Sequence, residues 1–153
     1  MNGLDGAWKV ARMEEQPRPV ILDPHRRAHL PKLFNLASKG EAKSPWIFCR
    51  EESCVEKDRC FPLKTQDGKF SWTQILSVLS SGGIKSVMIE GGASVLNDVL
   101  SQGVADVIII TIAPVFLGKD GVGILPALKE EWLHDVKSIS VGKDIVIAGR
   151  VKR

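Results

Sequence analysis

Ser86-Val-Met-Ile-Glu-Gly-Gly-Ala-Ser-Val-Leu-Asn-Asp-Val-Leu100 decides how the chain is read. Val87, Met88 and Ile89 form an apolar run of the kind buried on both faces of a parallel sheet. Gly91 and Gly92 follow directly. Val95, Leu96, Val99 and Leu100 then recur at helical spacing, and Gly103 stands where such a helix should stop. The predicted unit is a buried strand, a two-glycine turn and a helix. A turn of this kind aims backbone N–H groups without helical partners, at the positive end of the helix dipole, toward the end of the strand. That is an anion site, suited above all to phosphate. A Cβ on Gly91 or Gly92 would hold a phosphate away from the backbone. Glu90 is out of place at the mouth of such a site, because like charge repels it unless it binds a polar group of a second ligand beside the phosphate-bearing one. The alternative is a tight strand-to-helix connection that binds nothing, and spacing alone leaves both readings open.

Upstream, Phe70 to Gly83 carries complete helix signals. Ser71 is the predicted N-cap, with Gln74 completing a capping box and Phe70 and Ile75 forming a hydrophobic staple. Trp72, Ile75, Leu76 and Leu79 give the buried stripe, and Gly82 or Gly83 ends it. Feeding this helix into Ser86–Ile89 makes half of a right-handed crossover. Further back, Arg18-Pro-Val-Ile-Leu-Asp23 reads as a strand stopped by Pro24. The turn after it holds His25, Arg26, Arg27 and His29. Arg26 reads as exposed, and the two histidines, lacking a third ligand, as solvated. A short helix is expected within 30–43, a buried strand at Pro45–Cys49, and a charged loop over 51–69 with one short strand near Phe61–Leu63.

Downstream, Val104 to Pro114 is a long β-branched strand. The apolar corner Pro114-Val-Phe-Leu-Gly118 reads as a core plug, and Lys119 to Leu125 as a loop. His134–Val141 and Asp144–Lys152 form a terminal hairpin around Gly142-Lys143. The expected fold class is α/β: a mostly parallel central sheet flanked by helices, with a C-terminal antiparallel hairpin, in one domain whose residues 1–16 are a loose arm. Long apolar edge strands invite pairing with a second chain, so a homodimer through the C-terminal strands is expected.

Composition narrows the function. Hydrophobic residues make up 44% of the chain and charged residues 25%, the balance of a soluble globular domain. A net charge of +3 fits anionic small molecules and excludes a nucleic-acid-binding footprint. The longest apolar run, Val107 to Leu117, is broken by Thr111 and Pro114 and is too short to span a bilayer. Residues 1–6 show no secretory signal, so a cytoplasmic location is expected. Cys49, Cys54 and Cys60 are odd in number and lack zinc-knuckle spacing. They read as unpaired thiols in a reducing compartment, and no metal is expected. No Ser-His-Asp or Cys-His constellation stands out, and no general acid can be named.

The octapeptide Met88-Ile-Glu-Gly-Gly-Ala-Ser-Val95 resembles the signature of the riboflavin-pathway reductases of fungi, archaea and the C-terminal half of the bacterial bifunctional deaminase-reductase. Arg18–Pro24 with Arg27, Gly83–Gly92 and Ala113–Gly118 are similar to further segments of that family, in family order, with the fungal members the most similar. The family's opening strands and helix have no counterpart among these segments. The resemblance implies a dihydrofolate-reductase-like fold. It also implies NADPH-dependent reduction of the ribosylamino side chain of 2,5-diamino-6-ribosylamino-4(3H)-pyrimidinone 5′-phosphate to the ribitylamino form. On that reading Gly91, Gly92, Ala93 and Ser94 cradle the cofactor diphosphate. Arg27 would contact the adenosine phosphate that distinguishes NADPH from NADH, Glu90 would anchor the substrate, and Pro114 would wall the pocket. The competing class is an inactive reductase-like chain, kept as a dimeric scaffold or a cofactor-binding remnant.

Overall fold

Arg18–Asp23 becomes strand β1, Val20–Leu22, and the run stops ahead of Pro24 as its missing N–H dictates. These elements come from a computed structural model that describes residues 15–54, 60–66, 68–123 and 132–152. The expected arm lies outside the described residues apart from Glu15 and Gln16. The chain divides into two compact units, Met1–Ile75 and Leu76–Arg153.

In the first unit, α1 (Pro31–Ser38) opens with proline at its first turn, where the lost N–H costs nothing. Strands β2 (Trp46–Arg50) and β3 (Cys60–Leu63) complete a parallel sheet of order β1-β2-β3, with Ile21 opposite Ile47 and Phe48 opposite Phe61. Central strand β2 buries Ile47, Phe48 and Cys49 in succession, as a strand covered on both faces must. Phe61 packs on Trp46 and Phe48 at ring-centroid distances of 4.9 and 5.4 Å. Pro62 is tolerated because β3 is an edge. Cys49 and Cys60 form a disulfide between β2 and β3. This corrects the expectation of three unpaired thiols: parallel pairing brings together two cysteines that the sequence holds eleven residues apart. Two short strands, β4 (Thr65–Gln66) and β5 (Lys69–Phe70), then pair antiparallel.

Helix α2 (Trp72–Ser81) starts in the first unit and ends in the second, with Trp72, Ile75 and Leu79 buried as the stripe predicts. Its cap is looser than a full capping box, the Gln74 N–H reaching Ser71 Oγ only at 3.5 Å. Its end is sharply built. Gly83, at φ +82°, donates to Ser80 O at 2.9 Å, and Ile84 donates to Leu79 O at 3.0 Å, the paired bonds of a Schellman motif.

Residues 84–92, expected to begin as the central strand, form no strand. Met88 is 78% exposed and Val87 is also exposed. Apolar character makes a segment able to join a sheet, but a ladder partner makes it a strand. Among the described residues no strand pairs with this segment. Helix α3 (Ala93–Ser101) follows as predicted and ends at Gln102-Gly103.

The rest of the second unit is an antiparallel sheet. Strands β6 (Val107–Ile112), β7 (Leu133–Val141) and β8 (Asp144–Val151) lie in the order β6-β8-β7. The β7–β8 turn is Gly142-Lys143 with Val141 opposite Asp144, as read from the sequence. Among the described residues parallel pairing is thus confined to β1–β3, and β6 is antiparallel to β8. The class is α/β with antiparallel strands at the C-terminal end. Among the described residues no helix is long and apolar enough to cross a membrane.

Candidate functional site

The N-terminus of α3 is the predicted anion site. Gly92 is its N-cap in extended backbone (φ −72°, ψ 173°), and its carbonyl accepts the first helical bonds, from Val95 at 3.0 Å and Leu96 at 3.2 Å. The amides of Ala93 and Ser94 lie ahead of those bonds and point along the helix axis. No side chain caps the helix, and no acidic residue occupies its first turn. The positive end of the dipole therefore meets no opposing charge from α3 itself.

The two glycines differ. A Cβ on Gly91 would meet Val95 Cβ at 3.0 Å and its methyls at 3.2 and 3.3 Å, so packing within the chain disfavours a side chain there unless Val95 gives way by a few tenths of an ångström. A Cβ on Gly92 would meet nothing within 4 Å, and its φ suits any residue. Among the described residues, nothing lies within 4 Å of that position. A phosphate oxygen approaching the α3 amides would use that space, so the residues present fit a diphosphate. Glu90, Gly91, Gly92 and Ser94 are exposed, and Ala93 is half-buried. Glu90 stands two positions ahead of the cap in sequence.

Arg27 belongs to the first unit and is exposed. Its turn is organised by Asp23, whose buried carboxylate accepts the Arg27 N–H at 3.0 Å and the Ala28 N–H at 2.7 Å. Burial acts to raise the Asp23 pKa. The bonds from Ala28 and Arg27 and the charges of Arg26 and Arg27 outweigh it, holding the carboxyl below its ordinary value. Arg26 sits in the left-handed region at φ +54° and is half-buried, not exposed as read from sequence: its Nη1 lies 3.2 Å from Cys60 Sγ. Neighbouring residues in a turn face opposite ways, and sequence alone could not say which arginine turned inward.

Pro114 follows β6 and is exposed. So are Val115 and Leu117, while Phe116 at 103% is wholly in solvent. The corner is therefore not a core plug. Its apolar side chains are unburied by the unit that carries them, which keeps them available as a pocket wall.

Glu90 to Ser94 thus come together at one helix end, whereas Arg27 and Pro114 lie on the Asp23 turn and the β6 exit. Sequence reasoning missed Asp23, although an aspartate closing a strand ahead of a proline is a recognisable turn acceptor. It also missed the convergence of Cys49, Cys54 and Cys60, whose sulfurs all lie within 4.8 Å of one another. An open hollow of about 530 Å³ along Val107, Lys137 and Arg150 contains none of the candidate site residues Glu90–Ser94, Arg27 and Pro114.

Residues 3–147 match the family described as the RibD C-terminal domain. The 2,5-diamino-6-ribosylamino-4(3H)-pyrimidinone 5′-phosphate reductase of Debaryomyces hansenii is 37% identical over 151 residues, covering 88% of this chain and 61% of that protein. The Kluyveromyces lactis reductase of the same name is 32% identical over 145 residues, covering 90% of this chain and 57% of its own. The chain therefore spans about three fifths of the length of these relatives. The solved riboflavin biosynthesis reductase of Saccharomyces cerevisiae superposes with a TM-score of 0.75 at 27% identity, over 90% of this chain and 71% of that one.

Proposed function

Because the chain belongs to the RibD C-terminal domain family, we propose that it works in riboflavin biosynthesis in the cytoplasm as an NADPH-dependent reductase. Its substrate is 2,5-diamino-6-ribosylamino-4(3H)-pyrimidinone 5′-phosphate, converted to the ribitylamino form. The observation that carries the reading is the uncapped start of α3, with Gly92 open to the approach of a phosphate. The names of the curated relatives supply the substrate.

When bound, NADPH supplies the hydride that reduces C1 of the sugar. The chain's own residues bind and orient. Gly91, Gly92, Ala93 and Ser94 offer backbone N–H groups and one hydroxyl to the diphosphate. Arg27, carried by the first unit, would supply a charge-assisted contact to the adenosine phosphate. Glu90 accepts hydrogen bonds from substrate hydroxyl or amino groups, which orients the sugar for transfer. Pro114 and its apolar neighbours exclude water.

The expected assembly is a homodimer through the C-terminal strands. Its support is the apolar surface that β6 and β7, the edges of their sheet, leave in solvent: Ile109, Ile112, Ile139 and Val141 are all exposed. Light scattering that gives a monomer at every concentration would remove the dimer.

The function is tested by titrating the chain with NADPH and then NADH while following tryptophan fluorescence. The expected result is saturable binding that favours NADPH and turnover with the pyrimidine substrate. A folded chain that binds neither cofactor would overturn the reading.

A further inference from the structure

The three cysteines form the densest cluster of chemically reactive side chains among the described residues outside the α3 site. Cys49 and Cys60 are buried on paired strands β2 and β3. Cys54 is half-buried and follows the 3₁₀ turn Glu51–Ser53. A disulfide needs only two sulfurs. Here a third lies within 4.8 Å of both, and Arg26 Nη1 stands 3.2 Å from Cys60 Sγ. Arg26 holds φ +54°, a left-handed backbone position that an L-residue rarely adopts, with its N–H bonded to Asp23 O at 3.2 Å. Cys54 Sγ donates to the Cys60 carbonyl at 3.9 Å, so the third sulfur, like the Arg26 guanidinium, is already turned toward the paired strands without being part of the Cys49–Cys60 bond.

We propose that, once this disulfide is reduced, Cys49, Cys54 and Cys60 form a trithiolate site for a thiophilic dication of the zinc class. A phosphine reductant attacks one sulfur and supplies two electrons, and the S–S bond breaks. Water then gives its oxygen to the phosphine, which leaves as the phosphine oxide, and its two protons to the two sulfurs. The cation then forms three metal–sulfur bonds and displaces three thiol protons to water.

Tetrahedral zinc with bonds of about 2.3 Å places its sulfurs about 3.8 Å apart. On reduction the Cys49 and Cys60 sulfurs separate from bonding distance to that spacing, and a pair at the 4.8 Å limit closes by about 1 Å. The ladder that sets Ile47 opposite Cys60 and Cys49 opposite Pro62 fixes the backbone of two ligands before the ion arrives. Cys54, on a loop, supplies the adjustment and the access. Three thiolates and a dication leave one net negative charge, which the Arg26 guanidinium offsets. The fourth position is left to water or an external ligand, the pattern of an open zinc site. The site lies wholly in the first unit and shares no residue with the α3 turn, so its success or failure is separate from that of the cofactor reading.

The test uses the full chain, reduced with a phosphine under anaerobic conditions and freed of reductant. Cobalt(II) is titrated in while thiolate-to-cobalt charge-transfer absorption is followed, and zinc is then added as competitor. Expected are saturation at one equivalent, displacement by zinc, and protection of all three thiols from alkylation. Cys54→Ser leaves both strand cysteines in place and should weaken binding at least tenfold. Arg26→Met keeps every sulfur and should weaken it several-fold. The proposal is overturned by a reduced, folded chain that shows no saturation, by Cys54→Ser binding as tightly as the parent, or by the oxidised chain binding equally well. Should Cys54→Ser not fold, alkylation of Cys54 in the metal-loaded parent overturns it by itself.

Discussion

Gly92→Asp should move stability and cofactor binding in opposite directions. Gly92 caps α3 in extended backbone open to any residue, and a Cβ there meets nothing within 4 Å. Aspartate is among the best N-caps, better than glycine by a few tenths of a kcal/mol. Replacing glycine where the backbone permits adds about 0.4–1 kcal/mol through the unfolded chain. The variant should therefore be about 0.5–1 kcal/mol more stable, read as a higher Tm. The same carboxylate would stand beside the cofactor diphosphate. At about 4 Å, two like charges repel by about 1 kcal/mol in water and about 4 kcal/mol near a protein surface. The site is exposed, so a value near 2 kcal/mol applies, or about a thirtyfold rise in Kd for NADPH. Gly92→Asn, with a similar cap and no charge, should bind between parent and Asp variant. Gly91→Ala should behave differently: its Cβ meets Val95 at 3.0 Å, an overpacking cost of about 1–3 kcal/mol, so it should lower Tm. Melting curves and fluorescence titrations measure all of this. A Gly92→Asp chain that melts at or above the parent temperature and binds NADPH with unchanged Kd would refute the phosphate-site reasoning.

Glu90→Gln should leave the Kd for NADPH within about twofold while KM for the pyrimidine substrate rises tenfold or more, the loss expected for a charged hydrogen-bond acceptor; equal loss of both would mean that Glu90 serves the cofactor. Asp23 carries a pH signature. Its folded pKa is depressed, so its contribution is complete above the unfolded value of about 3.9 and is lost as pH falls through the lower folded value. Asp23→Asn should cost about 1–3 kcal/mol at neutral pH and flatten the fall in Tm below about pH 4. A variant with the parent's acid profile would show that Asp23 does not organise the turn.

What the sequence made legible divides by range. Signals whose cause is local were readable: Gly83 and the Schellman end of α2, Pro24 stopping β1, the Gly142-Lys143 turn and the start of α3 all rest on bonds within a few residues. Signals whose cause is a partner were not. Val87-Met-Ile89 and Trp46-Ile-Phe48 are equally apolar, yet only the second is a strand, because β1 and β3 flank it. Cys49 and Cys60 seemed unrelated until parallel pairing set them side by side.

The candidate site inherits both halves of this division. Its anion-binding end is local, because amide direction and dipole belong to α3 alone. Its depth is not. Met88, just ahead of the α3 turn, and Phe116, beside Pro114 after β6, are exposed apolar side chains that the second unit itself leaves uncovered. Surface of this kind is stabilised only by burial against something else. For the phosphate end, affinity should then be set by Gly92 and the α3 amides whatever lies beyond them. On the proposed function, exclusion of water from the reacting sugar would require burial of Met88 and Phe116. Cofactor affinity and turnover should then be separable: substitutions at Gly92 should act on the first, and polar substitutions at Phe116 on the second.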